Sequence, residues 1–515
     1  MSKRNELPVL LASLALTGAF IGVGAWWVGN KITGNPTSIT RTVTADGVTQ
    51  LTLLGDTFSG YSTFRNEAFN ATLKEAGIEI DYADEFDQAL RAEQLAKGNA
   101  DLIVTTLDQY LQQQPQGKII GLLDRTVGAD AVVLNSKKYP ELNSLLDLNK
   151  VQAQAGGQLS IAYAVDTPSE YLALVLDTRF DAFNLSDFEL KPVAEASEAW
   201  ALMQDPNENI AIAVLWEPYV TQARQQGYTV VLSSEDAPNA IVDVIVASDR
   251  VIDANPNVLS TLLENYYRRI DANARDATQL QTQVAEDGNL SVSDSAAIIN
   301  GIDFFTATET KTWFQDGTLD RRIKATAAVL ALSNRLSAIP ADETSLYTDQ
   351  FVTAAADNTQ TLIELVRADN PELAEKLEGK SNTVTAAPAI SASDIQQAPD
   401  IGNLQVRGQV SFGTGSANLT PEGKETLSQL AQELNEFTQQ PVAVRVIGHT
   451  SRTGSAALNQ TLSQQRASVV VNTLKGYGVT LNILPEGKGF SEPLANTDPT
   501  DAKNQRTEIR LVRVN

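Results

Sequence analysis

Apolar and polar positions along this chain follow two different periods in turn. Residues 51–54 form a short apolar run, 64–75 carry apolar positions at helical spacing up to Gly77, and 78–82 alternate as a strand does. A second helical stretch over 86–97 stops at Gly98, and 101–105 has the unbroken apolar character of a buried strand. The same succession returns at 159–165, after Pro168, at 210–216 and after Pro218. Strands and helices in alternation predict mostly parallel sheets with helices on both faces, here in two α/β lobes. From Pro256 to about residue 377 the pattern turns helical, with Tyr266-Tyr267 and Trp313-Phe314 as core aromatics. Residues 381–400 are rich in Ser, Thr, Ala and Pro without a periodic apolar face, which predicts a flexible linker. The remainder predicts strands at 405–412, 442–447, 483–487 and 507–514 and helices at 421–437 and 456–475. That is a smaller mixed sheet with helices on one face.

Before the first lobe, residues 7–28 carry no charge and reach ~33 Å as a helix, enough to cross a hydrocarbon core. Lys3 and Arg4 precede the run and Trp26-Trp27 close it, so the positive-inside rule predicts a transmembrane signal anchor with everything after Lys31 exported. A cleaved signal peptide, with Val23-Gly24-Ala25 as its cleavage site, is the alternative. The expected layout is 1–6 cytoplasmic, 7–29 transmembrane, 30–47 a tether, 48–340 the two lobes, 341–378 a helical extension, 379–403 the linker and 404–515 the terminal domain. This predicts a single-pass inner-membrane protein with its bulk in the periplasm.

Composition narrows the chemistry. A chain of 515 residues exceeds one ordinary hydrophobic core, and a formal charge of -24 argues against a nucleic-acid partner. With no cysteine there is no disulfide, thiol nucleophile or acylated cysteine. His449 is the sole histidine in the sequence, which excludes a Ser-His-Asp triad in the lobes and a multi-histidine metal site. No spacing argues for an enzyme, a metal or a cofactor.

The run Gly448-His449-Thr450-Ser451-Arg452-Thr453-Gly454-Ser455, then Asn459, Leu462-Ser463-Gln464-Gln465-Arg466-Ala467 and Asn504-Gln505-Arg506-Thr507-Glu508 resembles the OmpA-like peptidoglycan-binding domain. The resemblance covers roughly the last hundred residues. It implies an envelope location and a partner, the zwitterionic diaminopimelate of the peptidoglycan stem peptide. It also implies peptidoglycan-binding roles for Ser451, Asn459, Arg466 and Arg506. Arg466 matches the family's ligand-carboxylate partner, whereas Ser451 stands where the family has an aspartate. A hydroxyl there forgoes a charge-assisted bond worth on the order of 1–3 kcal/mol. His449 is read as structural.

Gly60-Tyr61-Ser62-Thr63-Phe64, the stretch Leu95-Ala96-Lys97-Gly98-Asn99-Ala100-Asp101 before Thr105-Thr106, Trp216-Glu217-Pro218-Tyr219 and Ala254-Asn255-Pro256 resemble, in that order, type 2 periplasmic solute-binding proteins of the nitrate, sulfonate, taurine and thiamine-precursor branch. The resemblance spans about 48–340 and implies a two-lobed cleft for a small-molecule solute, with an ABC permease as partner. Candidate ligand-binding residues are Tyr61, Ser62, Thr63, Thr105, Thr106, Thr167, Ser169, Trp216 and Glu217, placed between strand ends and helix starts. The hydroxyl residues among them also fit plain helix capping. Arg65 favours an anion such as phosphate, nitrate or a sulfonate, and Glu217 favours a cation. Arg65 and Arg125 are more often paired with carboxylates. The expected function is a membrane-anchored, wall-binding solute receptor serving ABC-type uptake or sensing. A tether from inner membrane to wall with a degenerate cleft is the alternative.

Overall fold

The computed structural model describes residues 47–288, 290–379, 390–413, 415–437 and 441–514. The predicted transmembrane segment at 7–29 and nearly all of the tether lie outside the described residues. Among the described residues no helix is long and apolar enough to cross a membrane.

The chain opens with β1 (Thr49–Gly55), β2 (Ile78–Asp84), β3 (Leu102–Thr106) and β4 (Gly117–Thr126). It then builds β5 (Asp130–Leu134), β6 (Ser160–Ala164), β7 (Glu189–Val193), β8 (Ile210–Trp216) and β9 (Thr229–Ser233), and returns with β10 (Val242–Ser248) and β11 (Ile302–Phe304). The first sheet runs β11-β4-β10-β3-β1-β2 and the second β7-β6-β8-β5-β9. β1 is parallel to β2 and β3, while β10 runs antiparallel between β3 and β4. Two lobes therefore share two crossings, at 127–129 and 234–241. Ser234 Oγ joins the crossings by accepting from Gly128 N at 2.8 Å. The interior strands are covered on both faces: every residue of β3, β5, β6 and β10 is buried.

Helix boundaries follow the sequence chemistry. The first predicted helix is split in two, Ser62–Arg65 and Glu67–Glu75, because the Asn66 side chain accepts from Phe69 N and caps a new start. The helix Gln88–Lys97 ends at Gly98, whose φ of 76° suits a residue without Cβ. After Pro256 the helices Pro256–Arg275, Ala307–Gln315, Thr318–Leu332, Thr353–Val366 and Pro371–Leu377 pack around the first lobe. Tyr267 is fully buried there and donates to Leu122 O at 2.8 Å.

The third sheet runs β12-β15-β13-β14, with β12 (Asp400–Asn403), β13 (Val442–His449), β14 (Asn482–Gly489) and β15 (Thr507–Arg513). Helices Pro421–Leu434 and Ala456–Gly476 pack with it. Two expectations are corrected here. The linker read over 379–403 is folded from residue 390, forming a helix Ala392–Gln397 and the edge strand β12. The strand expected at 405–412 is absent; the chain there makes isolated bridges at Leu404 and Phe412. β12 escaped the apolar pattern because its burial rests on one apolar side chain, Ile401, beside Gly402, where a Cβ would lie 2.9 Å from the Phe180 ring.

That ring belongs to the second lobe, so the third domain is seated on it. Phe180 bridges Leu404, Asp181 N donates to Asn403 O and Gln405 N donates to Arg179 O at 2.8 Å. Arg179 pairs with Glu433 at 3.0 Å, Arg322 with Glu436 and Arg513 with Asp236.

Candidate functional site

A cleft of about 340 Å³ opens where the lobes meet. It lies beyond the carboxyl ends of β1, β3, β6, β7 and β8, where an open α/β sheet presents loops and helix starts. Of the nine residues expected to bind the solute, Tyr61, Thr106, Thr167, Trp216 and Glu217 line it. Thr167 caps its helix as well, accepting from Ser169 N at 3.2 Å. Glu217 accepts from Thr221 N and Oγ1.

Ser62, Thr63, Thr105 and Ser169 do not line the cleft. Gln283, from the helix Thr278–Asp287, donates to Ser62 Oγ at 2.9 Å and Thr63 Oγ1 at 3.1 Å, turning both hydroxyls into the packing of the first lobe. Thr105 donates to Gln88 Oε1 and Ser169 is fully buried in its helix. The two arginines weighed for an anion are committed elsewhere. Arg65 Nε donates to Asp287 at 2.8 Å, and Arg125 pairs with Asp303 at 2.6 Å and Glu309 at 2.8 Å while stacking on Phe305.

The residues that define the cleft's character are acidic. Asp56, Asp130, Asp166, Glu195, Glu217 and Asp243 all line it, with Phe58, Phe86 and Ile302 as apolar wall. Asp56 is neutralised by the fully buried Arg91 at 3.0 Å. Thr106, Asp243 and Asp124 stand opposite one another on β3, β10 and β4 and share a sheet face. Tyr61 OH donates to Asp243 Oδ1, and a Cβ at Gly60 would fall 2.5 Å from Asp124 Oδ2. Burial raises the Asp243 and Asp124 carboxyls well above the usual range, and neighbouring carboxylates add to it. Burial likewise pushes Asp130 up to about 7. Asp124, Asp130 and Asp243 were visible as lone carboxylates within or beside apolar strands, an expensive placement that itself signals a site.

In the third domain, Ser451 follows the end of β13 and Arg466 lies mid-helix in Ala456–Gly476; both are buried. Arg466 Nε donates to Ser416 O at 3.0 Å and its guanidinium lies 5.0 Å over the Phe412 ring. Among the described residues it pairs with no carboxylate. Ser451 Oγ accepts from Gln505 Nε2 at 3.2 Å. Asn459 instead shapes the loop, donating to Thr453 O at 2.8 Å and Ser455 O at 3.1 Å. Arg506 is held by Glu508 at 2.6 Å.

Residues 411–507 match the OmpA family. Over 111 residues the chain is 40% identical to "Probable lipoprotein YiaD" of Escherichia coli K12, covering 21% of this chain and 50% of that protein. Over 145 residues it is 32% identical to "Outer membrane protein A" of Shimwellia blattae, covering 28% and 60% respectively. The chain thus spans about half the length of the curated relatives it matches. Among solved structures, the periplasmic aliphatic sulphonate binding protein SsuA of Escherichia coli aligns with 59% of this chain and 98% of its own, at 12% identity and a TM-score of 0.46. A putative periplasmic sulfonate-binding protein SsuA from Methylobacillus flagellatus KT aligns over 61% and 95%, at 13% and 0.47.

Within the OmpA-matching region, His449 Nε2 stands 3.3 Å from Glu508 Oε1. Burial alone raises the Glu508 carboxyl, but His449, Arg506 and Arg510 outweigh it and hold it at about 2. A carboxyl lowered in the folded state lends stability that is complete above its unfolded value near 4.5 and fades as pH falls toward 2. Wild-type chain should therefore lose on the order of 2 kcal/mol more than Glu508→Gln between about pH 5 and about pH 2.5, read by urea unfolding. Equal pH slopes in the two proteins count against this network.

Proposed function

We propose that this chain is an envelope protein that takes a small solute between its two lobes and grips peptidoglycan through its OmpA-matching domain. The cleft carries the reading: a pocket of ligand size, bounded by both lobes, floored by carboxylates that cost stability if nothing binds them. A cleft without a ligand has no reason to keep Asp243 and Asp124 side by side, which speaks against the pure tether. The envelope location follows the relatives' names, a probable lipoprotein and an outer membrane protein. Anchoring through residues 7–29, with uptake through an ABC permease or sensing as the outcome, belongs to the same proposal. Bound solute would draw the lobes together about the 127–129 and 234–241 crossings.

The test has two arms on the full-length chain. Purified sacculi should pellet it, and one member of a broad small-solute library should raise its unfolding temperature, with about 2.7 kcal/mol of stabilisation at a hundredfold excess over Kd. Pelleting without any thermal response leaves the tether; a thermal response without pelleting removes the wall half.

A further inference from the structure

We infer that the solute of this cleft is an organic cation, an ammonium group carried on an apolar body. The inference rests on the solute-binding reading above and specifies its ligand. Six carboxylates line the cleft and no lysine or arginine does. Arg91 answers Asp56, but among the described residues Asp130, Asp166, Glu195, Glu217 and Asp243 have no ion-pair partner. An anion entering this space meets uncompensated negative charge at close range, where low polarity magnifies repulsion.

A second observation points the same way independently of that lining. Asp124 is fully buried, and neither of its carboxylate oxygens has a hydrogen-bond partner. It stands opposite Asp243 across β4 and β10, so two buried carboxylates adjoin, and among the described residues Tyr61 OH is the donor that reaches them. The Thr106 hydroxyl, in the same row and 6% exposed, makes no hydrogen bond of ordinary geometry. A buried carboxyl without a hydrogen-bond partner costs stability unless something arrives to pair it. A metal ion fits poorly, since among the described residues no cluster of three suitable side chains could hold one. The space is also far larger than a bare ion, and Trp216, Phe58 and Phe86 offer it apolar and π surface. Aromatic faces beside carboxylates are the surroundings in which organic ammonium groups are held.

The same geometry makes binding pH-dependent. The groups facing Asp130 are Asp108, Asp124, Glu217 and Asp243, all carboxyls from other elements, with Thr126 beside them. None is a base. With Asp130 titrating at about 7 in the empty cleft, the ionised form that attracts a cation fills in above that pH, and a cation that binds expels the proton.

The test is calorimetry on the full-length chain with three sets of aromatic and aliphatic probes of matched size: quaternary ammonium salts, sulfonates and alcohols. The ammonium set should contain binders and the sulfonates none. Because a quaternary ammonium does not titrate, its affinity should rise roughly tenfold or more between about pH 5.5 and about pH 8. Asp243→Asn and Glu195→Gln should each weaken it, the former by roughly tenfold or more. Glu195 is exposed, so that variant keeps the test valid if the buried one misfolds. Silence across the ammonium set, or affinity unchanged in both variants, overturns the cation assignment. Binding of a sulfonate or alcohol that is lost in Trp216→Ala also overturns it while leaving the solute cleft intact. Silence of all three sets and of the broad solute library overturns both readings.

Discussion

Phe180→Ala should cost about 3–5 kcal/mol and split one calorimetric unfolding transition into two. The side chain follows the helix Pro168–Arg179, is 1% exposed and is clasped between the second lobe and the β12 segment. Gly402 has no side chain at the place where a Cβ would meet that ring, so the two surfaces close without a gap. Truncation leaves a cavity that neither the Asp181–Asn403 nor the Gln405–Arg179 backbone bonds can collapse. The rim pairs Arg179–Glu433 and Arg322–Glu436 then have little apolar contact behind them. A cost below about 1 kcal/mol with a single transition retained would show that this seat contributes nothing in solution.

Arg466→Ala should lower peptidoglycan pelleting of the full-length chain at least about tenfold, because a ligand carboxylate loses its charge-assisted partner. The guanidinium is held in one pose. Nε is fixed on Ser416 O and the plane rests on Phe412, while the Nη groups make no hydrogen bond to a described residue. Ser451→Asp should act in the opposite sense, strengthening pelleting by on the order of 1 kcal/mol through attraction to the ligand ammonium. Gln505 Nε2 already donates to Ser451 Oγ and can donate to an aspartate placed there. Both effects should shrink in high salt. Undiminished pelleting by Arg466→Ala would separate wall binding from this residue.

What the sequence revealed, and what it hid, follows from locality. The stop at Gly98, the cap at Thr167 and the proline starts at Pro168, Pro256 and Pro421 are short-range chemistry, and those helices begin or end there. Arg466 could be read as a candidate because its spacing from Ser451 and Asn459 is a motif. Ser62 and Thr63 misled, since their hydroxyls are claimed by Gln283, some 220 residues further on. Asp243 and Asp124 left a readable mark, one acid each beside Val and Leu neighbours in buried strands, but their pairing needed the β4–β10 register. Gly402 looked like linker because its value lies in what it lacks.

The seat at Phe180 also decides which half of the clamshell is the free jaw. The OmpA-matching domain is joined to the second lobe by the Phe180 seat and the Arg179–Glu433 pair, and at its rim to the helix Thr318–Leu332 by the Arg322–Glu436 pair. The chain enters through β1, in the first lobe. If the wall holds that side still, closure over a solute would fall mainly to the first lobe. On the proposed function, solute occupancy would then become a displacement of the first lobe measured against the wall.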